Sequence, residues 1–362
     1  MAGLPLPRLA WGLVRDKPAG VSERELRHAL DIGWQIETVS IRYAPVGGGS
    51  YHWVVRDSLD RQWFVTVDDL DGKGWLGDSR PVVSKGLRTA MDTAFALRHH
   101  EGLRFVVAPV PALGGATVLP LGEKFTIAVF PFVHGASGRF GEVLPADERG
   151  RLVDMLVALH GSTPAAAHAS RFPVNVPWRG ALETALRELG RPWHGGPFSE
   201  PARALIAETA GRIRQALATF DQLTERVKAL EPVITHGEPH PANVMRAGSD
   251  MMLIDWDTVG LAPPERDLWM VVGDDGEQTR RYTEATGRAV DPAALALYRI
   301  RWALDDISID VRQFRSRHRR TEGTEISWQV LKSYLEDQRL GVVLCRDCCH
   351  PRPVYMPRSW RR

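Results

Sequence analysis

The sequence predicts an α+β fold built in two parts, and three observations carry that expectation. In the first third, apolar and polar residues alternate over short runs punctuated by Gly and Asp, the period of half-buried strands. From Ala146 onward, apolar residues instead recur at steps of three and four, the period of amphipathic helices. At 362 residues the chain is long enough to close two bodies, each around its own core.

The elements follow in order. Ser22 and Glu25 form a capping-box pair, and Leu26, Leu30 and Trp34 continue at helical spacing, which predicts an early helix. Residues 36–41 and 51–56 read as strands on either side of a turn, 45–50, that holds Gly47, Gly48, Gly49 and Ser50. A third strand at 62–67 ends at Asp68 and Asp69, completing an antiparallel meander. Residues 87–100 predict a helix with Met91, Phe95 and Leu97 among its apolar positions. Strands are expected at 105–109, 117–121 and 125–132, and Pro131 and Gly135 close the last run where a connector should leave the sheet. Beyond it, Leu152, Met155, Leu156 and Leu159 share a helical face, and 202–230 reads as a long helix. Leu297, Ile300, Leu304, Ile307, Val311 and Phe314 mark a strongly amphipathic one. The expected division is a first lobe over 1–130, a connector at 131–135 and a helical lobe over 136–339. A tail rich in Arg, Pro and Cys, 340–362, is expected to be poorly ordered.

Composition sets limits on partners. A net charge of +2 supplies no global field to draw the chain to nucleic acid or to a membrane, so neither is expected as a partner. No apolar run reaches the length of a membrane span, and the first residues lack a signal-peptide pattern. The three cysteines, Cys345, Cys348 and Cys349, crowd near the C-terminus and give the body no disulfide framework. A cytoplasmic, reducing setting is the expectation, and the oligomeric state is left open.

The chemistry concentrates in residues 236–257. Glu238 stands five positions before Asn243, and Asp255 follows at the end of a short apolar run, with Asp257 two residues on. Phosphoryl transfer from a nucleotide needs a group that orients the attacking hydroxyl and oxygen ligands for the metal ions that neutralise the phosphates. A carboxylate, four residues, an Asn and a later Asp meet that need in the right order. Val233 and Ile234, with Met252, Leu253 and Ile254, read as short buried strands, whose ends are rigid mounts for such groups. Asp257 reads equally as a further carboxylate at the metal or as an exposed turn residue. The glycines at 47–49 would let backbone N–H groups approach phosphates, although the same tip suits an ordinary hairpin. His236 and His240 flank Glu238, and with Cys345 and Cys348 they allow a zinc enzyme as the least favoured reading. His236 is read instead as packing and hydrogen-bonding beneath the loop. Cys345, Cys348, Cys349 and His350 could also bind zinc on their own, but no second half-site accompanies them.

The 236–257 block resembles the motif of the aminoglycoside phosphotransferase and choline kinase family, usually His-Gly-Asp-x-His-x-x-Asn followed by Ile-Asp-Trp. The resemblance runs over residues 43–335 and takes in the connector 129–135, Leu159 and His160, and the stretch 263–269. Within the family it is most similar to the spectinomycin phosphotransferase branch. It implies a bilobal protein-kinase-like fold, with an antiparallel-sheet N-lobe and a mainly helical C-lobe. It also implies transfer of a phosphate from ATP, with Mg²⁺, to a hydroxyl of a small molecule. Glu238 falls at the base position, and Asn243 and Asp255 fall at the magnesium positions. The adenine would lie against Phe130, Phe132 and Val133, and the phosphates under Gly47, Gly48, Gly49 and Ser50. Asp274, Asp275, Asp305 and Asp306 would border the acceptor cleft and attract an aminoglycoside, aminocyclitol or other amine-bearing acceptor, unless they form a solvated helix face.

Two positions depart from the family pattern. Glu238 stands where Asp is usual, and Thr66 stands where the family's phosphate-binding Lys would fall. The helix that follows offers only Asp92 as an acidic partner for such a Lys. Lys73, Lys85 and Lys124 are the candidates to supply the charge from elsewhere. The alternative reading is a catalytically silent, kinase-like protein that binds a nucleotide or another ligand.

Overall fold

The computed structural model describes residues 17–18, 20–163, 169–273 and 275–336. Asp274 and the tail from 340, with its cysteines and His350, lie outside the described residues.

The chain enters through α1 (Glu23–Trp34), capped as expected: the Ser22 hydroxyl accepts the Glu25 N–H, and the Glu25 carboxylate accepts the Ser22 N–H. Next come β1 (Thr38–Ala44), β2 (Tyr51–Asp57) and β3 (Gln62–Asp69), then α2 (Arg80–His99), β4 (Leu119–Leu121) and β5 (Phe125–Pro131). The five strands form one antiparallel sheet in the order β1-β2-β3-β5-β4. Strand alternation sends Trp53, Val55, Val65, Val67, Ile127 and Val129 to one face, where they pack on Leu26 and Leu30 of α1. The opposite face carries His52, Phe64, Thr66, Ala128 and Phe130 and looks toward the second lobe.

Two expectations need correction. The second helix starts at Arg80, seven residues earlier than its apolar spacing indicated, with Pro81 in the first turn, where a missing N–H costs nothing. Residues 105–109 do not form a strand of the sheet. They run extended past Leu253, with a single bridge at Val106, and Val110 bonds to Val129. Pro109 and Pro111 lack the donors that a ladder would need there.

The second lobe adds β6 (Ala136–Ser137), α3 (Ala146–Gly161), α4 (Arg179–Arg187) and α5 (Ser199–Val227). It continues with β7 (Val233–Thr235), β8 (Val244–Ala247), β9 (Asp250–Leu253) and β10 (Gly260–Ala262). Last come α6 (Glu265–Leu268), α7 (Glu277–Thr286), α8 (Pro292–Arg315) and α9 (Glu322–Glu336). Its largest core lies between α4, α5, α8 and α9, and all six apolar positions that defined the stripe on α8 are buried there. A second core joins α3 to β7, β9 and Trp256, and it takes in Ala90, Ala94 and Leu97 of α2, so that helix ties the lobes together. Among the described residues, no helix is long and apolar enough to cross a membrane.

Candidate active site

The β8–β9 hairpin decides the geometry. Val244 pairs with Leu253, and the next step outward is an Ile254 N–H bond to the Asn243 carbonyl at 3.0 Å. Asn243 and Asp255 therefore leave the same end of the hairpin although twelve positions separate them. Asn243 closes a short 3-10 turn, Pro241–Asn243, and its Nδ2 donates to the Glu238 carbonyl at 3.0 Å. That bond fixes the amide with its oxygen left as an acceptor. Glu238 shares the pocket beside this turn, its Oε2 3.7 Å from His240 Nε2.

Asp255 adopts a left-handed backbone at φ 66°, a conformation that costs a non-glycine residue energy and is tolerated best by Asn and Asp. Its carboxyl opens to the cleft yet is crowded. Loss of bulk water, then the charges of Asp257 and Glu238, hold it well above the ordinary carboxylate range, with Lys73 opposing them. A carboxyl raised by its neighbours in this way is relieved by a cation. Two oxygen donors, from Asp255 and Asn243, suit a hard divalent ion.

Beneath the loop lies an anchor that sequence reasoning missed. Asp267, fully buried on α6, accepts the backbone N–H groups of His236 and Gly237 at 2.9 and 2.6 Å. It also meets His160 Nε2 at 3.1 Å, and His160 Nδ1 bonds Tyr282 at 2.8 Å. Burial would raise the Asp267 carboxyl, but the His160 bond and the nearby His160 and Arg266 outweigh it and hold the group below its ordinary value. His236 packs edge-on against Trp256, donates from Nε2 to the Ile254 carbonyl at 2.9 Å and receives the Glu238 N–H on Nδ1. Burial lowers its pKa, which suits that neutral tautomer. Both of its nitrogens are thereby used inside the loop. Among the described residues, no group of three or more His, Cys, Asp or Glu could hold a metal ion, so His236, Glu238 and His240 form no zinc-type cluster.

A narrow pocket is lined by Glu238 and by Trp75, Phe172, Trp302, Asp305 and Asp306. Asp305 and Asp306 are 7% and 3% exposed, which removes them from any solvated face. Burial pushes the Asp305 carboxyl up to about 6 against the pull of Arg301. It pushes that of Asp306 up to about 8, against a hydrogen bond from the Tyr334 hydroxyl at 2.7 Å. Trp302 stacks on Phe140 with ring centres 6.0 Å apart and leans on Trp269. Asp275 lies elsewhere: it accepts the Glu277 N–H at the start of α7, is half exposed and sits 3.8 Å from Arg149.

On the N-lobe side, the glycine tip takes positive φ at Gly47 and Gly49, and Ser50 turns inward to donate to Asp68 at 2.6 Å. Phe130 packs with Met91, Val118 and Ala128 into a small apolar wall, and Phe132 and Val133 follow just past the C-terminal end of β5. Thr66 bonds His52 at 3.2 Å, and His52 stacks on Phe64. Asp92 accepts from Thr117 and is exposed, so it is no partner for a cleft cation. Lys85 is exposed, and Lys124 pairs with Asp69 at the surface. Lys73 alone of the three candidates lies in the cleft, 1% exposed, and it bonds Asp257 at 2.6 Å, Asp68 at 3.0 Å and Ser50 at 3.1 Å. Asp257 is thus no exposed turn residue.

The profile of the phosphotransferase enzyme family matches residues 46–305, most of the chain. Comparison with curated proteins by sequence gave no match. Among solved structures, a spectinomycin phosphotransferase crystallised with ADP and spectinomycin is similar at 16% identity, with 90% of this chain and 98% of that one covered and a TM-score of 0.68. A microcompartment-associated aminopropanol kinase is similar at 18% identity, 90% and 99% coverage and a TM-score of 0.59. An ethanolamine kinase of Plasmodium vivax is similar at 10% identity, 86% and 87% coverage and a TM-score of 0.54. At these identities the likeness is one of fold, and it is the bilobal, kinase-like fold that the sequence led us to expect.

Proposed function

This chain belongs to the phosphotransferase enzyme family, and we propose that it transfers the γ-phosphate of ATP to a hydroxyl of a small, amine-bearing acceptor. The observation that carries this reading is the convergence of Glu238, Asn243 and the crowded Asp255 at one end of the β8–β9 hairpin, beside a pocket lined by Asp305 and Asp306.

Each group has a physical task. Glu238 accepts a hydrogen bond from the acceptor hydroxyl, aims the hydroxyl oxygen at the γ-phosphorus and takes its proton as the new P–O bond forms and the bond from the γ-phosphorus to the bridging oxygen breaks, releasing ADP. Asn243 and Asp255 would hold Mg²⁺, which when bound neutralises charge on the phosphates. The Gly47–Gly49 tip offers backbone N–H groups above the phosphates, and Phe130, Phe132 and Val133 give the adenine an apolar edge. The rings of Trp75, Phe172 and Trp302 with the two aspartates favour an acceptor that carries a cationic amine on a compact body, as an aminocyclitol or an amino alcohol does. Phosphoryl transfer demands little covalent chemistry from the protein, so positioning and charge neutralisation account for the rate.

The test is direct. Purified protein is incubated with ATP, Mg²⁺ and a panel of amino sugars, choline-like alcohols and spectinomycin, and ADP release is followed. Transfer to at least one acceptor is expected, with Glu238→Ala slower by about 10²–10⁴-fold. No transfer to any acceptor, or no effect of Glu238→Ala, overturns the reading. ATP binding without turnover is the result a silent kinase-like protein would give.

A further inference from the structure

The phosphates of a nucleotide would enter a cleft that already holds the carboxyls of Asp68, Asp255 and Asp257, so a basic side chain must stand among them. The central strand does not supply it: Thr66 is neutral and bonded to His52. Burial and then the charge of Lys73 push the His52 pKa down to about 3, so that ring is neutral too. We propose that Lys73, carried on the loop between β3 and α2, is the residue that contacts the donor phosphates. This rests on the phosphotransferase reading above and assigns one of its missing parts.

Three observations carry the assignment. The Lys73 ammonium bridges the two elements that must flank the phosphates, bonding Ser50 at the end of the glycine tip and Asp257 two residues beyond Asp255. Its loop is also fitted against the second lobe rather than loosely draped. A Cβ on Gly74 would come within 2.5 Å of the Trp178 ring, and Trp178, itself at φ 61°, is held by Arg312 stacked 3.9 Å from its ring centre. Finally, the same loop puts Trp75 into the acceptor pocket, with Lys73 Nζ 5.0 Å from its ring centre, so one short segment serves both substrates. Asp68 and Asp257 neutralise the ammonium. A nucleotide phosphate reaching this point would compete with the two aspartates for the ammonium.

The experiment compares a non-hydrolysable ATP analogue with Mg²⁺ against adenosine, which lacks phosphates, on wild type, Lys73→Met and Lys73→Arg. Lys73→Met is expected to weaken the analogue at least about tenfold, the scale of one charge-assisted contact, and to leave adenosine within about twofold. The KM for ATP should rise while that for the acceptor holds, and Lys73→Arg should recover part of the loss. Equal weakening of both ligands, or of neither, overturns the assignment and leaves the enzyme reading standing. A wild type that binds no ATP–Mg²⁺ overturns the reading itself, and this assignment with it. If Lys73→Met fails to fold, lysine-¹⁵N spectra of the wild type decide. The Lys73 Nζ resonance should move with the ATP analogue and stay put with adenosine, and a resonance that ignores the analogue overturns the assignment.

Discussion

Asp267 Oδ1 accepts the Gly237 N–H at 2.6 Å, one residue before the carboxylate that faces the pocket. This buried anion on α6 therefore sets the position of Glu238 through the backbone, with its second oxygen holding His236 and meeting His160. Asp267→Ala would strand two buried N–H donors and an imidazole. A loss of stability on the order of 3 kcal/mol is expected in urea unfolding. Asp267→Asn keeps one carbonyl acceptor and should lose less.

Gly237 is constrained from two sides. Its φ is 100°, and a Cβ there would lie 2.2 Å from the Arg266 guanidinium, which is itself buried and bonded to Thr235 and Thr258. Gly237→Ala should cost more than about 2 kcal/mol, since backbone strain and a clash with an immobile group act together. Thermal melts of the variant check this. A melting point unchanged from wild type would show that the loop relaxes freely.

The pocket carboxyls predict a pH dependence. Folding raises Asp305 to about 6 and Asp306 to about 8, above the ordinary value of about 4, so the folded chain binds more protons than the unfolded chain in between. Their stabilising contribution is full below about pH 4 and is lost as pH rises through about 6 and then about 8. Acceptor binding should run the opposite way. Affinity for an amine-bearing acceptor should climb between about pH 6 and 8 as both groups ionise, provided the amine stays protonated. Isothermal titration across that range measures it, and Asp306→Asn should flatten the upper part of the rise.

Much of this fold is legible in the amino-acid order. The Ser22–Glu25 box, the β1–β3 meander, the apolar stripe on α8 and the buried strands on either side of the Glu238 loop each follow from a local period or a pair of residues three or four apart. Misreadings came where local signals were indifferent. Residues 105–109 are apolar and extended, as a strand would be, but their partner is the edge of Leu253 rather than the sheet. Asp275 and Asp306 look alike in sequence. One accepts a backbone N–H two residues on, at the exposed start of α7, and the other lies under the pocket with Tyr334.

Sequence alone determined the fold class and placed Glu238, Asn243 and Asp255 in one segment, because strand and helix periods and a loop's ligand spacing are written within a few residues of one another. Tertiary structure decided which lysine stands in the cleft, that Asp257 is its partner and that Asp267 holds the loop. Those choices join groups 184 and 30 residues apart, and an ion pair or buried hydrogen bond over such a span is specified by how the lobes pack, which no local pattern encodes.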